Sequence, residues 1–91
     1  MLTVTAESLA FDTACLAPPA GEPVTIAFEN LDTQPHDVAI YTDASRTTQL
    51  YAGEIIEGGE SIEYEIPALD AGTYYFACTV HPGMNGSVVV Q

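Results

Sequence analysis

The sequence predicts an all-β fold, a sandwich or small barrel of about seven or eight strands. Short segments rich in Val, Ile, Thr, Tyr and Phe alternate apolar with polar side chains, the period of a half-buried strand. Six prolines and seven glycines punctuate them at intervals of roughly 8–12 residues, as in antiparallel all-β domains. No stretch carries apolar residues at helical spacing. At 91 residues the chain is too short for two cores, so residues 1–91 form one domain.

Residues 3–11 carry Val4 and Leu9 among polar neighbours and predict a first strand. Residues 17–23 (Ala-Pro-Pro-Ala-Gly-Glu-Pro) are a turn-rich connection. Residues 24–29 alternate cleanly, with Val24, Ile26 and Phe28 on one face and Thr25, Ala27 and Glu29 on the other. After a loop at 30–35, residues 38–41 form a short strand with Val38 and Ile40 facing one way. Residues 42–48 are polar and read as a surface excursion, and 50–56 hold a broken strand. Gly58-Gly59 turns the chain into 61–66, where Ile62, Tyr64 and Ile66 oppose Ser61, Glu63 and Glu65. Residues 73–78 put Tyr74, Phe76 and Cys78 on one face, and 86–90 close the chain. The run Leu69-Asp70-Ala71-Gly72-Thr73-Tyr74 predicts a tyrosine corner, in which the Tyr74 hydroxyl bonds back to nearby backbone. The other tyrosines, Tyr41, Tyr51, Tyr64 and Tyr75, read as sheet packing.

One basic residue, Arg46, stands against 13 acidic ones, a formal net charge of −12. Nucleic acid is excluded as a partner, because no basic surface could displace phosphate counterions. An anionic membrane surface is equally unfavourable. The acidic residues spread along the chain as solvated faces, and a basic partner or a high-salt setting fits them. No apolar run reaches the roughly 18–20 residues of a membrane span, so no membrane insertion by this chain is expected. The opening Met1-Leu2-Thr3-Val4 is no charged-then-apolar leader. It fits a cytosolic protein or an excised domain of an exported one.

The chemistry concentrates in one place. The chain holds two histidines, two cysteines and two methionines. His36 is followed, after 41 residues, by Cys78-Thr79-Val80-His81-Pro82-Gly83-Met84, a C-x2-H-x2-M run. Two imidazoles, a thiolate and a thioether make the donor set of a trigonal His₂Cys copper site with a weak axial Met. Zinc accepts the same Cys and two His but has little use for a thioether. A turn after a strand can curl three ligands, each three residues apart, around one ion, with His36 tying the turn to the scaffold. Cys15 is left over; with no C-x3-C pair there is no binuclear site. It reads as a buried free thiol, because a Cys15–Cys78 bridge would consume the thiolate.

These segments resemble the cupredoxins, the small blue-copper family that includes plastocyanin, amicyanin and pseudoazurin. The resemblance lies in Phe28-Glu29-Asn30-Leu31-Asp32 leading to Pro35-His36-Asp37-Val38, in Gly72-Thr73-Tyr74-Tyr75-Phe76-Ala77-Cys78, and in the run through Met84 to Gly86-Ser87-Val88-Val89-Val90. It implies an eight-stranded Greek-key β-sandwich with one mononuclear copper ion, held by His36, Cys78, His81 and Met84. The implied function is outer-sphere electron transfer without catalysis, by a monomer. The exposed loop His81 would be the electron port, and a redox partner would dock transiently near His81, Pro35, Pro82 and Gly83. It further implies work outside the cytoplasm, in the periplasm or on the outer cell surface, with a membrane tether in the full-length protein. Many members have Asn after the first His ligand, where this chain has Asp37. An Asp there accepts a hydrogen bond, for example from Thr79, but when ionised cannot donate one, which predicts a potential that varies with pH through Asp37. The rival functions are a copper carrier or sensor, which needs exchangeable copper, and a metal-free Ig-like structural module bridged by Cys15 and Cys78.

Overall fold

The computed structural model describes residues 2–81 and 83–91. Among these it contains nine strands and no helix: β1 (Leu2–Glu7), β2 (Ala10–Phe11), β3 (Cys15–Leu16), β4 (Val24–Asn30), β5 (Ala39–Tyr41), β6 (Gln49–Ala52), β7 (Ser61–Ile66), β8 (Gly72–Ala77) and β9 (Asn85–Val90). They form two mixed sheets, ordered β2-β1-β4-β7 and β3-β9-β8-β5-β6. The connections β2–β3, β3–β4, β4–β5, β6–β7 and β7–β8 pass between the sheets, so the expected β-sandwich is the fold. No helix of the described residues is long and apolar enough to cross a membrane.

The alternation seen in the sequence is the burial pattern of β4, where Val24, Ile26, Phe28 and Asn30 face inward. Its antiparallel neighbour β7 matches it, with Ile26 opposite Tyr64 and Val24 opposite Ile66. Phe28 stacks on Tyr64 at 5.7 Å within this sheet, and Phe11 reaches across to Phe76 of the other at 5.3 Å. The fully buried Phe28 and Phe76 each stabilise the fold by about 1.5–3 kcal/mol. Glu63 and Glu65 point outward and are exposed, because a one-residue slip of β7 would bury both.

Two expectations are corrected here. Residues 3–11 are not one strand: Ser8 and Leu9 take φ of 55° and 60° and fold the segment into a hairpin, Glu7 opposite Ala10. Two successive left-handed residues suit the tight turn between twisted strands, which ordinarily takes Asn-Gly. With neither present, the sequence carries no turn signal. Cys15 is free, as expected, but exposed rather than buried; in β3, Leu16 takes the inward position and Cys15 the outward one.

The tyrosines behave as structural groups. The Tyr74 hydroxyl donates to the Asp70 carbonyl at 2.8 Å, closing the predicted corner. Tyr64 donates to the Glu54 carbonyl at 2.7 Å. On the outer face of the five-stranded sheet, Tyr41 and Tyr75 cover Ala39 and Ala77, and Arg46 lies over the Tyr75 ring while donating to its hydroxyl.

The strand pairings also fix which loops share an end. The end of β4, the β1–β2 turn, the segment before β7 and the β8–β9 loop all meet at one end of the sandwich. The exposed large apolar side chains Leu9, Leu31, Ile55 and Val80 lie in these segments.

Candidate metal centre

His36 arrives at that end on a loop that the sheet alone would not position. Asn30, fully buried at the last residue of β4, donates through Nδ2 to the carbonyls of Gln34 and Ile56. Its Oδ1 accepts the Asp32 amide at 3.0 Å. The loop is thereby wrapped around one amide side chain. His36 and Ile56 then exchange both backbone hydrogen bonds as an isolated antiparallel bridge. The His36 ring is fully buried and its Nε2 lies 3.0 Å from Asp32 Oδ2. The Asp32 carboxyl is held at about 2 by that hydrogen bond and by the Leu9 and Thr33 amides. An ionised Asp32 can only accept, so Nε2 carries the hydrogen and Nδ1 presents its bare lone pair.

The second limb is the β8–β9 loop. The ladder pair Ala77 and Asn85 closes its base. The Cys78 amide donates to the Met84 carbonyl at 3.0 Å and the Met84 amide to the His81 carbonyl at 2.9 Å. These two bonds draw Cys78, His81 and Met84 together at the backbone, and Cys78 Sγ comes to 3.9 Å from His81 Nδ1. Cys78 and Met84 are buried, whereas His81 is half-buried. Burial pushes the Cys78 thiol up from its ordinary range.

Asp37 joins the limbs. It is 2% exposed and accepts the Thr79 amide on Oδ1 at 2.7 Å and the Thr79 hydroxyl on Oδ2 at 2.8 Å. The acceptor role expected from its position is therefore realised, with Thr79 as the donor.

Three donor atoms converge between the limbs. His36 Nδ1 and His81 Nδ1 lie 3.1 Å apart, and Cys78 Sγ lies 3.7 and 3.9 Å from them. The point equidistant from three atoms so spaced is about 2.1 Å from each, within the roughly 2.0–2.3 Å at which a transition-metal-type cation holds imidazole nitrogen and thiolate sulfur. Two imidazole lone pairs at this separation repel unless a cation or proton sits between them. The donor set therefore fits a soft-to-borderline metal ion. Of the residues singled out in the sequence, His36, Cys78 and His81 come together. Met84 is buried in the same loop and borders a surface hollow of about 350 Å³ with Leu9, Val80, His81 and Gly83.

The sequence reading placed the docking rim at Pro35, Pro82 and Gly83. Gly83 is exposed and Pro35 half-buried, while Pro82 lies outside the described residues. Leu9 and Val80, which border the hollow beside His81, did not enter the sequence reading, Leu9 because its turn was read as strand. Asp32 and Asn30 were missed as supports; the carboxylate four residues before His36 was the available signal for Asp32.

The fold has known counterparts. An auracyanin from the photosynthetic bacterium Roseiflexus castenholzii superposes with a TM-score of 0.86 at 24% identity, over 99% of this chain and 95% of that one. Auracyanin A, a blue copper protein of Chloroflexus aurantiacus, gives 0.85 at 25% identity, over 99% and 97%. A reduced amicyanin variant gives 0.72 at 29% identity, over 99% and 81%. No curated protein matches the sequence. The profile of the cupredoxin-like domain matches residues 1–90, and the chain belongs to that family.

Proposed function

We propose that this chain is a type 1 (blue) copper electron-transfer protein, one cupredoxin domain over residues 1–91. His36, Cys78 and His81 hold a single copper ion and Met84 supplies a weak axial thioether. The observation that carries this reading is the convergence of two imidazole Nδ1 atoms and the Cys78 sulfur at the end where a buried methionine closes the loop. The likeness to auracyanin A, a blue copper protein, supports it.

Copper bound there supplies a one-electron Cu(II)/Cu(I) couple. The chain's residues do the rest. His36 and Cys78 are fully buried, so water is kept from that side of the centre. Their frame is held by hydrogen bonds: Asn30 donates to the Ile56 carbonyl, Ile56 exchanges backbone bonds with His36, and Asp32 and Asp37 accept from His36 and Thr79. A donor set held in this way moves little between oxidation states, which keeps reorganisation small. Of the four, His81 alone reaches the surface and is the electron port. Leu9, Val80 and Gly83 surround it as an apolar docking rim, suited to brief contact and release. The charge of −12 selects a basic redox partner met by a monomer. The protein works outside the cytoplasm and is a carrier with no substrate turnover.

Adding Cu(II) to the metal-free protein tests the reading. It predicts a strong absorption near roughly 600 nm that is absent in Cys78→Ser. A colourless protein that takes up no copper overturns it.

A further inference from the structure

The carboxylate behind His36 belongs to a longer chain of contacts. Asp32 Oδ2, the oxygen that takes His36 Nε2, also accepts the Leu9 amide at 2.7 Å, and Oδ1 accepts the Thr33 amide at 2.7 Å. The Asp32 side chain is 10% exposed and the His36 side chain is 0% exposed. The amide of Leu9 reaches this oxygen because Ser8 and Leu9 are both left-handed, a conformation disfavoured for residues with a β-carbon. The same turn places the Leu9 side chain, 53% exposed, in the hollow beside His81. A carboxylate on the far nitrogen of a ligating histidine sets its tautomer, raises its basicity and orients its ring.

We propose that Asp32 is a positioning residue for the metal centre: its Oδ2 locks His36 in the Nε2–H tautomer, ties the ring to the β1–β2 turn through the Leu9 amide, and places a fixed negative charge behind the ligand. The inference rests on His36 being a metal ligand. The charge favours the oxidised ion, and the lock keeps Nδ1 bare for it.

Three variants test this on the whole chain. In the metal-free protein, ring ¹⁵N spectra should show His36 as the Nε2–H tautomer alone, and Asp32→Ala should give a mixture. Asp32→Asn keeps one carbonyl oxygen for the Leu9 amide and His36 Nε2 and gives up the charge and the Thr33 acceptor, so it serves where the Ala variant does not fold. In it, Cu(II) affinity by chelator competition should fall 10–100-fold. At a fixed solution potential its Cu(I):Cu(II) ratio should rise about tenfold, which for one electron is about 59 mV. Glu63→Gln removes an exposed carboxylate from the outer face of β7 and controls for the loss of one negative charge; tautomer, affinity and potential should stay at wild-type values. An Asp32→Asn protein whose affinity and redox ratio stay within twofold of wild type overturns the proposal alone. A wild-type chain that takes up no copper overturns the functional reading and this one with it.

Discussion

The two limbs of the site are built on opposite principles. The Cys78–Met84 limb is local: the converging Cys78 and His81 and the buried Met84 lie within seven residues, joined by two backbone hydrogen bonds and closed by one ladder pair. The His36 limb is assembled from a distance. Asn30, Asp32, Ile56 and the turn at Leu9 all contribute to placing one ring. A short loop can set spacing and direction by itself, whereas a single remote ligand needs the scaffold to aim it. Asp37 and Thr79 are the joint through which the aimed limb steadies the local one.

Substitutions can break that contrast, and the largest effect should come from the histidines. His36→Ala leaves a buried cavity and strips Asp32 of one of its three donors, so the metal-free protein should lose about 2–4 kcal/mol in urea unfolding. His81→Ala, at a half-buried position with its ring toward the rim, should cost under about 1 kcal/mol by the same measurement. Equal losses would mean that the limbs are not held differently. The joint comes next. Thr79→Val removes the hydroxyl donor from buried Asp37 Oδ2 and should cost about 1–3 kcal/mol. Asp37→Asn can keep both contacts, by accepting the Thr79 amide and donating to its hydroxyl. Its stability should stay near wild type, while voltammetry of the copper-loaded protein should show a higher potential because a negative charge near the centre is gone.

At the opposite end, the Tyr74 corner gives a smaller effect. Tyr74→Phe loses one hydrogen bond to the Asp70 carbonyl and should cost roughly 0.5–1.5 kcal/mol, with an unchanged visible spectrum. A shifted spectrum would show that the ends are coupled. The smallest effect is expected at Asp43, whose carboxyl is held below its ordinary value by the Ser45 hydroxyl and amide. A lowered carboxyl contributes stability above its unfolded value of 3.8, and that contribution disappears as pH falls through the folded value. Asp43→Asn should therefore slightly flatten the acid limb of a stability–pH curve, with a small loss at neutral pH that disappears below the folded value. The group is exposed, so solvent screens most of the effect.

The contrast between the limbs is also the boundary of what could be read from the residues in order. Alternation in β4 and β7 is intrinsic to a sheet with one wet face, so inward and outward residues follow from period two. The tyrosine corner is legible for the same reason, its partner lying four residues away. The Ser8–Leu9 hairpin is not, because nothing in those side chains favours a left-handed turn; the pairing of β1 with β4 and the Asp32 carboxylate hold it there.

By itself the sequence determined the strand periodicity, the all-β class, the acidic character and the donor types of the C-x2-H-x2-M loop, because each depends on local spacing or on composition. Only the tertiary structure decided that both imidazoles present Nδ1, that Asp32 and Asn30 aim His36, that Leu9 joins Val80 on the rim and that Cys15 faces solvent. Those outcomes depend on contacts between segments far apart in the chain, and such contacts exist only once the two sheets have packed.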